Sequence, residues 1–266
     1  SYAMEHGINY YDTAWGYHDG NSETAMGKIL AAYPRDSYFL ATKFPGYDLS
    51  NMDKVEEIFE KQLEKCGVEY FDFYLFHNVC EMNVDAYLDE KYGILDYLLK
   101  QKENGRIRHL GFSAHGSREV MERFLDSYGS YMEFCQIQLN YLDWTVQRAR
   151  EQYEILQEYG LPCIVMEPVR GGALASLCPE AEAVLKAKAP GRSIASWAIR
   201  FAASLPGVLV VLSGMSSEEQ LADNLAAMSP FQPLTKSEQN ALTRAVRIDK
   251  RAQRIPCTGC RYCMPC

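Results

Sequence analysis

Seven short apolar runs recur along the chain, separated by stretches with helical periodicity, and this alternation limits the fold more than any other feature. The runs are Ile8–Thr13, Tyr38–Lys43, Tyr70–His77, Arg108–Ser113, Phe134–Asn140, Pro162–Glu167 and Val208–Ser213. The clearest helical stretches are Glu23–Ala32, Met52–Lys65, Leu95–Glu103, Thr145–Tyr159 and Ser217–Ala227. Strands alternating with helices build a parallel sheet through right-handed crossovers. A chain of 266 residues suits one α/β barrel. The expected fold is an α/β (β/α)8 TIM barrel over residues 1–250, lacking its first strand in this chain. Ser1–His6 reads as the tail of a helix that ends near Gly7, so a first strand is expected before it. The alternative is an open doubly wound sheet, whose exposed edges natural folds avoid.

Polar residues end these runs: Asp12, Lys43, His77, Ser113, Asn140, Glu167 and Ser213. In a parallel barrel the C-terminal strand ends share one face, where reactive groups collect. A buried strand gains nothing from a terminal Lys or Asp unless it finds a partner. Asp12, Tyr17, Lys43 and His77 are therefore expected to converge. A phenol is a poor acid at neutral pH. An ammonium at ~4 Å and an effective dielectric of ~20 favours the phenolate by roughly 4 kcal/mol, before desolvation subtracts some. Lys43 can thus make Tyr17 a proton donor, Asp12 can orient Lys43, and His77 can position a carbonyl oxygen. A buried Asp12–Lys43 pair without catalytic use is the alternative.

Composition narrows the partners. The formal charge is −8, against a nucleic-acid or anionic-membrane binder. The strongest apolar run, Val208–Leu212, is far shorter than a membrane span. Hydrophobic residues at 47% supply a large core.

The residues also match a family. Gly7-Ile-Asn-Tyr-Tyr-Asp-Thr-Ala-Trp-Gly-Tyr17, then Gly20-Asn-Ser-Glu23 and Gly27, resembles the aldo-keto reductase signature. Leu40–Lys43, Phe71–His77, Ile107–Ser113, Gln136–Tyr141, Val165–Leu174 and Ser213–Asn224 continue the resemblance in order, to about residue 250. It implies a catalytic tetrad at Asp12, Tyr17, Lys43 and His77, and a nicotinamide dinucleotide bound without a GxGxxG turn. Ser113 and Gln136 match positions that hold the carboxamide. Many members have Asn after that Ser; here Ala114 and His115 follow, and His115 is the candidate substitute. Met166 stands where many members stack an aromatic ring on the nicotinamide. Thr13 and Pro168 are further cofactor candidates. Arg170, Gly171 and Gly172 resemble a pyrophosphate loop, because glycine allows close backbone approach. Gly214, Met215, Ser216, Gln220 and Asn224 resemble the adenosine end. NADP-selective members commonly carry Lys and Arg where Gly214 and Gln220 stand, which argues against a strong NADP preference.

The last segment, residues 251–266, is a Cys-rich tail. Cys257, Cys260, Cys263 and Cys266 place four thiols in ten residues. Their spacing suits a metal centre and points to a reducing, cytoplasmic compartment. The segment resembles the start of a ferredoxin-like iron–sulfur appendage found in a subgroup of aldo-keto reductases, and reads as C-terminally incomplete. It implies a [4Fe–4S] cluster, with a four-thiolate zinc site or an unliganded tail as alternatives. A cluster moves single electrons and a nicotinamide moves a hydride, so the cluster is expected to serve structure or an external electron-transfer partner. The leading expectation is NAD(P)-dependent reduction of a small carbonyl substrate, or oxidation of the alcohol. The alternatives are a nicotinamide-sensing redox module, or an iron–sulfur electron-transfer scaffold with a vestigial barrel.

Overall fold

The computed structural model describes residues 2–252. The four C-terminal cysteines, Cys257, Cys260, Cys263 and Cys266, lie outside the described residues. All seven apolar runs form strands: β1 Tyr10–Asp12, β2 Phe39–Phe44, β3 Phe71–Val79, β4 Ile107–Ala114, β5 Cys135–Gln138, β6 Cys163–Met166 and β7 Val208–Val211. They form one parallel sheet in chain order, β1 to β7. Among the described residues, β1 and β7 each pair on one side only.

The sheet curls. Ala41, Leu75, Phe134 and Ile164 form one buried cluster, against which Tyr10, Phe73, Val210 and Leu212 pack. These side chains come from both ends of the strand order. In a flat sheet, six strand spacings of ~4.8 Å would put β1 and β7 nearly 30 Å apart. Sharing one cluster therefore requires a nearly closed parallel barrel, as the alternation of strand and helix implies.

Two compact units are present. The first contains residues up to Leu139, Asp143–Met166 and Pro206–Ser213, and so holds the whole sheet. Its helices include Ser22–Leu30, Val55–Cys66, Ile94–Glu103 and Arg118–Tyr128. The continuous helix expected over Thr145–Tyr159 is two pieces, Asp143–Val146 and Ala149–Glu158. Arg148 adopts a left-handed φ of 57° between them, which breaks the hydrogen-bond ladder.

The second unit contains Asn140–Leu142, Glu167–Leu205 and the chain from Gly214 onward. Its core gathers Trp197, Ala198, Leu185, Leu242 and Ala245, from the helices Pro179–Lys188, Ile194–Ala203 and Lys236–Ala252. Arg200 is 1% exposed and pairs with Glu238 at 3.1 Å, while also donating to the Gln232 carbonyl at 2.9 Å. Burial pushes the Glu238 carboxyl up. Hydrogen bonds from Arg200 and Thr235 outweigh that and hold it at about 2. A carboxylate depressed on folding stabilises the fold above its unfolded value, and the gain fades as pH falls toward the folded value. Glu238→Gln is therefore expected to lower stability at neutral pH by about 3 kcal/mol. Urea titrations should show that difference shrinking as the pH is lowered from 4.5 towards 2.

Candidate active site

Strand periodicity builds the site. Successive side chains on a strand point to opposite faces, so residues two apart share a face. Tyr10, Ala41, Leu75, Phe134 and Ile164 belong to the inner cluster. Two residues further along each strand stand Asp12, Lys43, His77, Gln136 and Met166. Ser113 is register partner to Gln136 and shares its level. The apolar interior thus turns polar at the C-terminal strand ends, as barrel sites do.

Lys43 is the centre of this rim. It is 0% exposed. Its Nζ donates to Asp12 Oδ1 at 2.6 Å and to the Thr13 carbonyl at 2.9 Å. A lysine ammonium has three donors, so two find full partners here. The same cation lies 4.9 Å from the centroid of the Tyr17 ring. Burial pushes the Asp12 carboxyl up, and Lys43 offsets only part of that. Asp12 Oδ2 is buried with no hydrogen-bond partner.

Tyr17 is the exposed member, at 38%, so its hydroxyl end can meet a small molecule. Its ring stands edge-on to His77, with centroids 5.9 Å apart. Tyr47 meets His77 from another direction at 5.2 Å. A Cβ on Gly16 would meet the Tyr47 hydroxyl, so a larger residue there would push the end of that side chain aside. Burial, then the nearby Lys43 and His115, push the His77 imidazole well below its ordinary range. His77 is therefore neutral near pH 7 and keeps one N–H to donate. Its Nδ1 is buried without a partner.

Other expected residues of the first unit also fall at the rim. Gln136 donates through Nε2 to Met166 Sδ at 3.5 Å, while its Oε1 is buried and unpartnered. Ser113 Oγ accepts from Asn78 N at 2.8 Å, which leaves its own O–H to donate. The Thr13 hydroxyl donates to Ser22 Oγ at 2.8 Å and keeps its acceptor lone pairs. His115 N donates to the Val79 carbonyl at 3.1 Å.

The remaining expected contacts lie in the second unit. Arg170, Gly171 and Gly172 carry φ of 52°, 60° and 92°, a left-handed run that explains the two glycines. Pro168 lies in the same turn, which follows β6. Gln220 Oε1 accepts from Ser216 N at 2.8 Å and closes the turn that starts at Gly214 and Met215. Asn224 stands on the helix Glu218–Met228. Sequence reasoning missed the polar groups behind β2, namely the buried Gln62 and Tyr74 and the half-buried Lys65. The signal for Gln62 is a polar residue at an apolar-stripe position of the Val55–Cys66 helix. Among the described residues no group of three or more His, Cys, Asp or Glu is arranged to hold a metal. No helix among them is long and apolar enough to cross a membrane.

Breaking a buried ion pair from one side leaves the other charge uncompensated. Lys43→Met is expected to cost about 3 kcal/mol in urea denaturation, and the Asp12→Asn, Lys43→Met double variant to recover part of it.

Comparison with known proteins shows the family and the fold. L-galactose dehydrogenase of Arabidopsis thaliana is 26% identical over 92% of this chain and 83% of its own length. The NADH-specific methylglyoxal reductase of Escherichia coli is 25% identical over 84% of this chain and 79% of its own. A solved aldo-keto reductase from Bacillus halodurans, in its holo form, superposes with a TM-score of 0.75 at 25% identity, covering 91% of this chain and 84% of that one. An aldo-keto reductase from Klebsiella pneumoniae in complex with NADPH shares the fold at 22% identity, with a TM-score of 0.74 over 96% of this chain and 86% of that one. The model of the aldo/keto reductase family matches residues 1–247, and the chain belongs to that family.

Proposed function

We propose that this protein reduces an aldehyde or ketone, or oxidises the corresponding alcohol, with Tyr17 as the proton-transfer group. Family membership makes it an NAD(P)-dependent oxidoreductase. The observation that carries the reading is the fully buried Lys43, bound to Asp12 at 2.6 Å and 4.9 Å from the Tyr17 ring centroid.

A reduced nicotinamide, when bound, supplies the hydride that reaches the carbonyl carbon. As the carbonyl oxygen gains negative charge, Tyr17 gives it the phenolic proton. The charge left on Tyr17 is stabilised by Lys43, whose ammonium lies 4.9 Å from the ring centroid. Asp12 keeps the ammonium in place. Neutral His77 donates its N–H to the carbonyl oxygen and orients it. In the oxidative direction Tyr17 takes the alcohol proton back.

The residues fit a nicotinamide carboxamide. The unpartnered Gln136 Oε1 needs an N–H donor, and Ser113 has an O–H to give. Met166 offers a polarisable surface beside them. We assign Thr13, His115 and Pro168 near that end, Arg170, Gly171 and Gly172 to the pyrophosphate, and Gly214, Met215, Ser216, Gln220 and Asn224 to the adenosine. Family resemblance supports these assignments, with the left-handed run at Arg170–Gly172 in agreement. Neither Gly214 nor Gln220 brings a cation for a 2′-phosphate, which argues against a strong NADP preference.

Tyr17→Phe is expected to lower kcat for carbonyl reduction by about 10²–10⁴-fold, with the coenzyme Kd from fluorescence titration within about threefold of wild type. Undiminished reduction by that variant would overturn the assignment.

For the tail we infer that Cys257, Cys260, Cys263 and Cys266 provide thiolates to an iron–sulfur cluster that serves structure or an external one-electron partner. Their spacing is the support. Anaerobically purified protein carrying the whole segment should contain about four iron and four sulfide per chain. Zinc without sulfide would reassign the ligands.

A further inference from the structure

A buried polar cluster lies behind β2, on the side away from the inner face. Its starting point is a carbonyl that the sheet cannot satisfy. Thr13 N donates to the Ala41 carbonyl at 2.9 Å, so that carbonyl faces β1. Carbonyls two residues apart on a strand face the same way, so the Lys43 carbonyl faces that side too. Yet β1 ends at Asp12, the register partner of Ala41. Leaving a buried carbonyl unpaired costs about 1–3 kcal/mol. Gln62 Nε2 supplies the missing donor at 2.9 Å.

Gln62 is in turn fixed from three directions. Its Nε2 donates to Glu23 Oε1 at 2.7 Å, and also lies 3.2 Å from Thr42 Oγ1. Its Oε1 accepts from Tyr74 OH at 2.6 Å. Glu23, Gln62, Thr42 and Tyr74 are all 0% exposed. Glu23 Oε1 also accepts from Thr42 Oγ1 at 2.7 Å, and Glu23 Oε2 accepts from Lys65 Nζ at 3.0 Å. Lys65 then reaches the other half of the site: its ammonium lies 4.3 Å from the Trp15 ring centroid. Trp15 is two residues before Tyr17, in the same turn. The helices Ser22–Leu30 and Val55–Cys66 bring these groups together through close contact at Gly27, where a Cβ would strike the Cys66 carbonyl.

We propose that Glu23, Gln62 and Lys65 are positioning residues, a single cluster, buried at Glu23 and Gln62 and half-buried at Lys65, that holds the Lys43 backbone at one end and the Trp15–Tyr17 turn at the other. This rests on the reading of Tyr17 and Lys43 as the proton-transfer pair. Packing alone does not call for it, since buried ionic groups add little stability compared with apolar side chains of similar volume. What the cluster adds is direction. Hydrogen bonds are directional, and the chain of contacts runs from the Lys43 carbonyl through Gln62 and Glu23 to Lys65 and its cation–π contact with Trp15.

Gln62→Met and Lys65→Met, with Lys65→Arg as the conservative control, test this. Two measurements are made on variants shown to be folded by circular dichroism. The first is the kinetics of reduction of a small aldehyde with NADH and with NADPH. The second is the fluorine NMR line of Tyr17 in 3-fluorotyrosine-labelled protein, assigned with Tyr17→Phe. Both Met variants should lose about tenfold in kcat, with KM and the coenzyme Kd within about twofold, and Lys65→Arg should restore most of the loss. The Tyr17 line should shift or broaden in both Met variants and return in Lys65→Arg. If Gln62→Met does not fold, Lys65→Met and Gln62→Glu carry the comparison. A Tyr17 line unmoved in the folded variants, with kcat unchanged while the melting temperature falls, overturns the proposal and leaves a stabilising role. A wild-type protein that reduces no carbonyl with either coenzyme sinks the catalytic reading instead, and the fluorine line still decides whether the cluster positions Tyr17.

Discussion

One buried cation organises this molecule. Taking a lysine ammonium out of water costs several kcal/mol unless its donors are met. Lys43 meets that cost with a carboxylate from β1 and a carbonyl just beyond it. Neither partner could be reached unless β1 and β2 ran parallel, with Asp12 level with Ala41. The register is what places a carboxylate against an ammonium two residues further along the neighbouring strand. The ion pair and the sheet therefore depend on each other.

From that pair the chemistry follows by proximity. The ammonium is near an exposed phenol, and the phenol is edge-on to an imidazole kept neutral by burial and by the same ammonium. Burial first, and then that ammonium, keep the imidazole neutral. A neutral imidazole keeps one N–H to donate, beside a phenol that also carries a proton. What each of these two groups can offer depends on its environment as much as on its side-chain type.

Much of this was legible in the chain. Period-two alternation in Tyr38–Lys43 and Tyr70–His77 already put Lys43 and His77 on the face of Ala41 and Leu75, and the strands form where the apolar runs lie. The motifs around Asp12 and Tyr17 fixed the family before any coordinate was known. The helix over Thr145–Tyr159 was less legible. Its periodicity is continuous, and only the left-handed backbone at Arg148 interrupts it. An arginine gives no warning of such a turn, whereas the glycines at 171 and 172 announce theirs.

The sequence by itself determined the order of strands and helices and the inward face of each strand, and with it the rim positions of Asp12, Lys43 and His77. These are local properties, set by repeats of two and of 3.6 residues. The tertiary structure alone decided that Gln62 meets the Lys43 carbonyl, 19 positions away, and that Lys65 meets Glu23, 42 positions away. Those meetings depend on how two helices approach one strand, and on a glycine that lets them come close. No periodicity encodes that distance, because it arises only when separate elements pack.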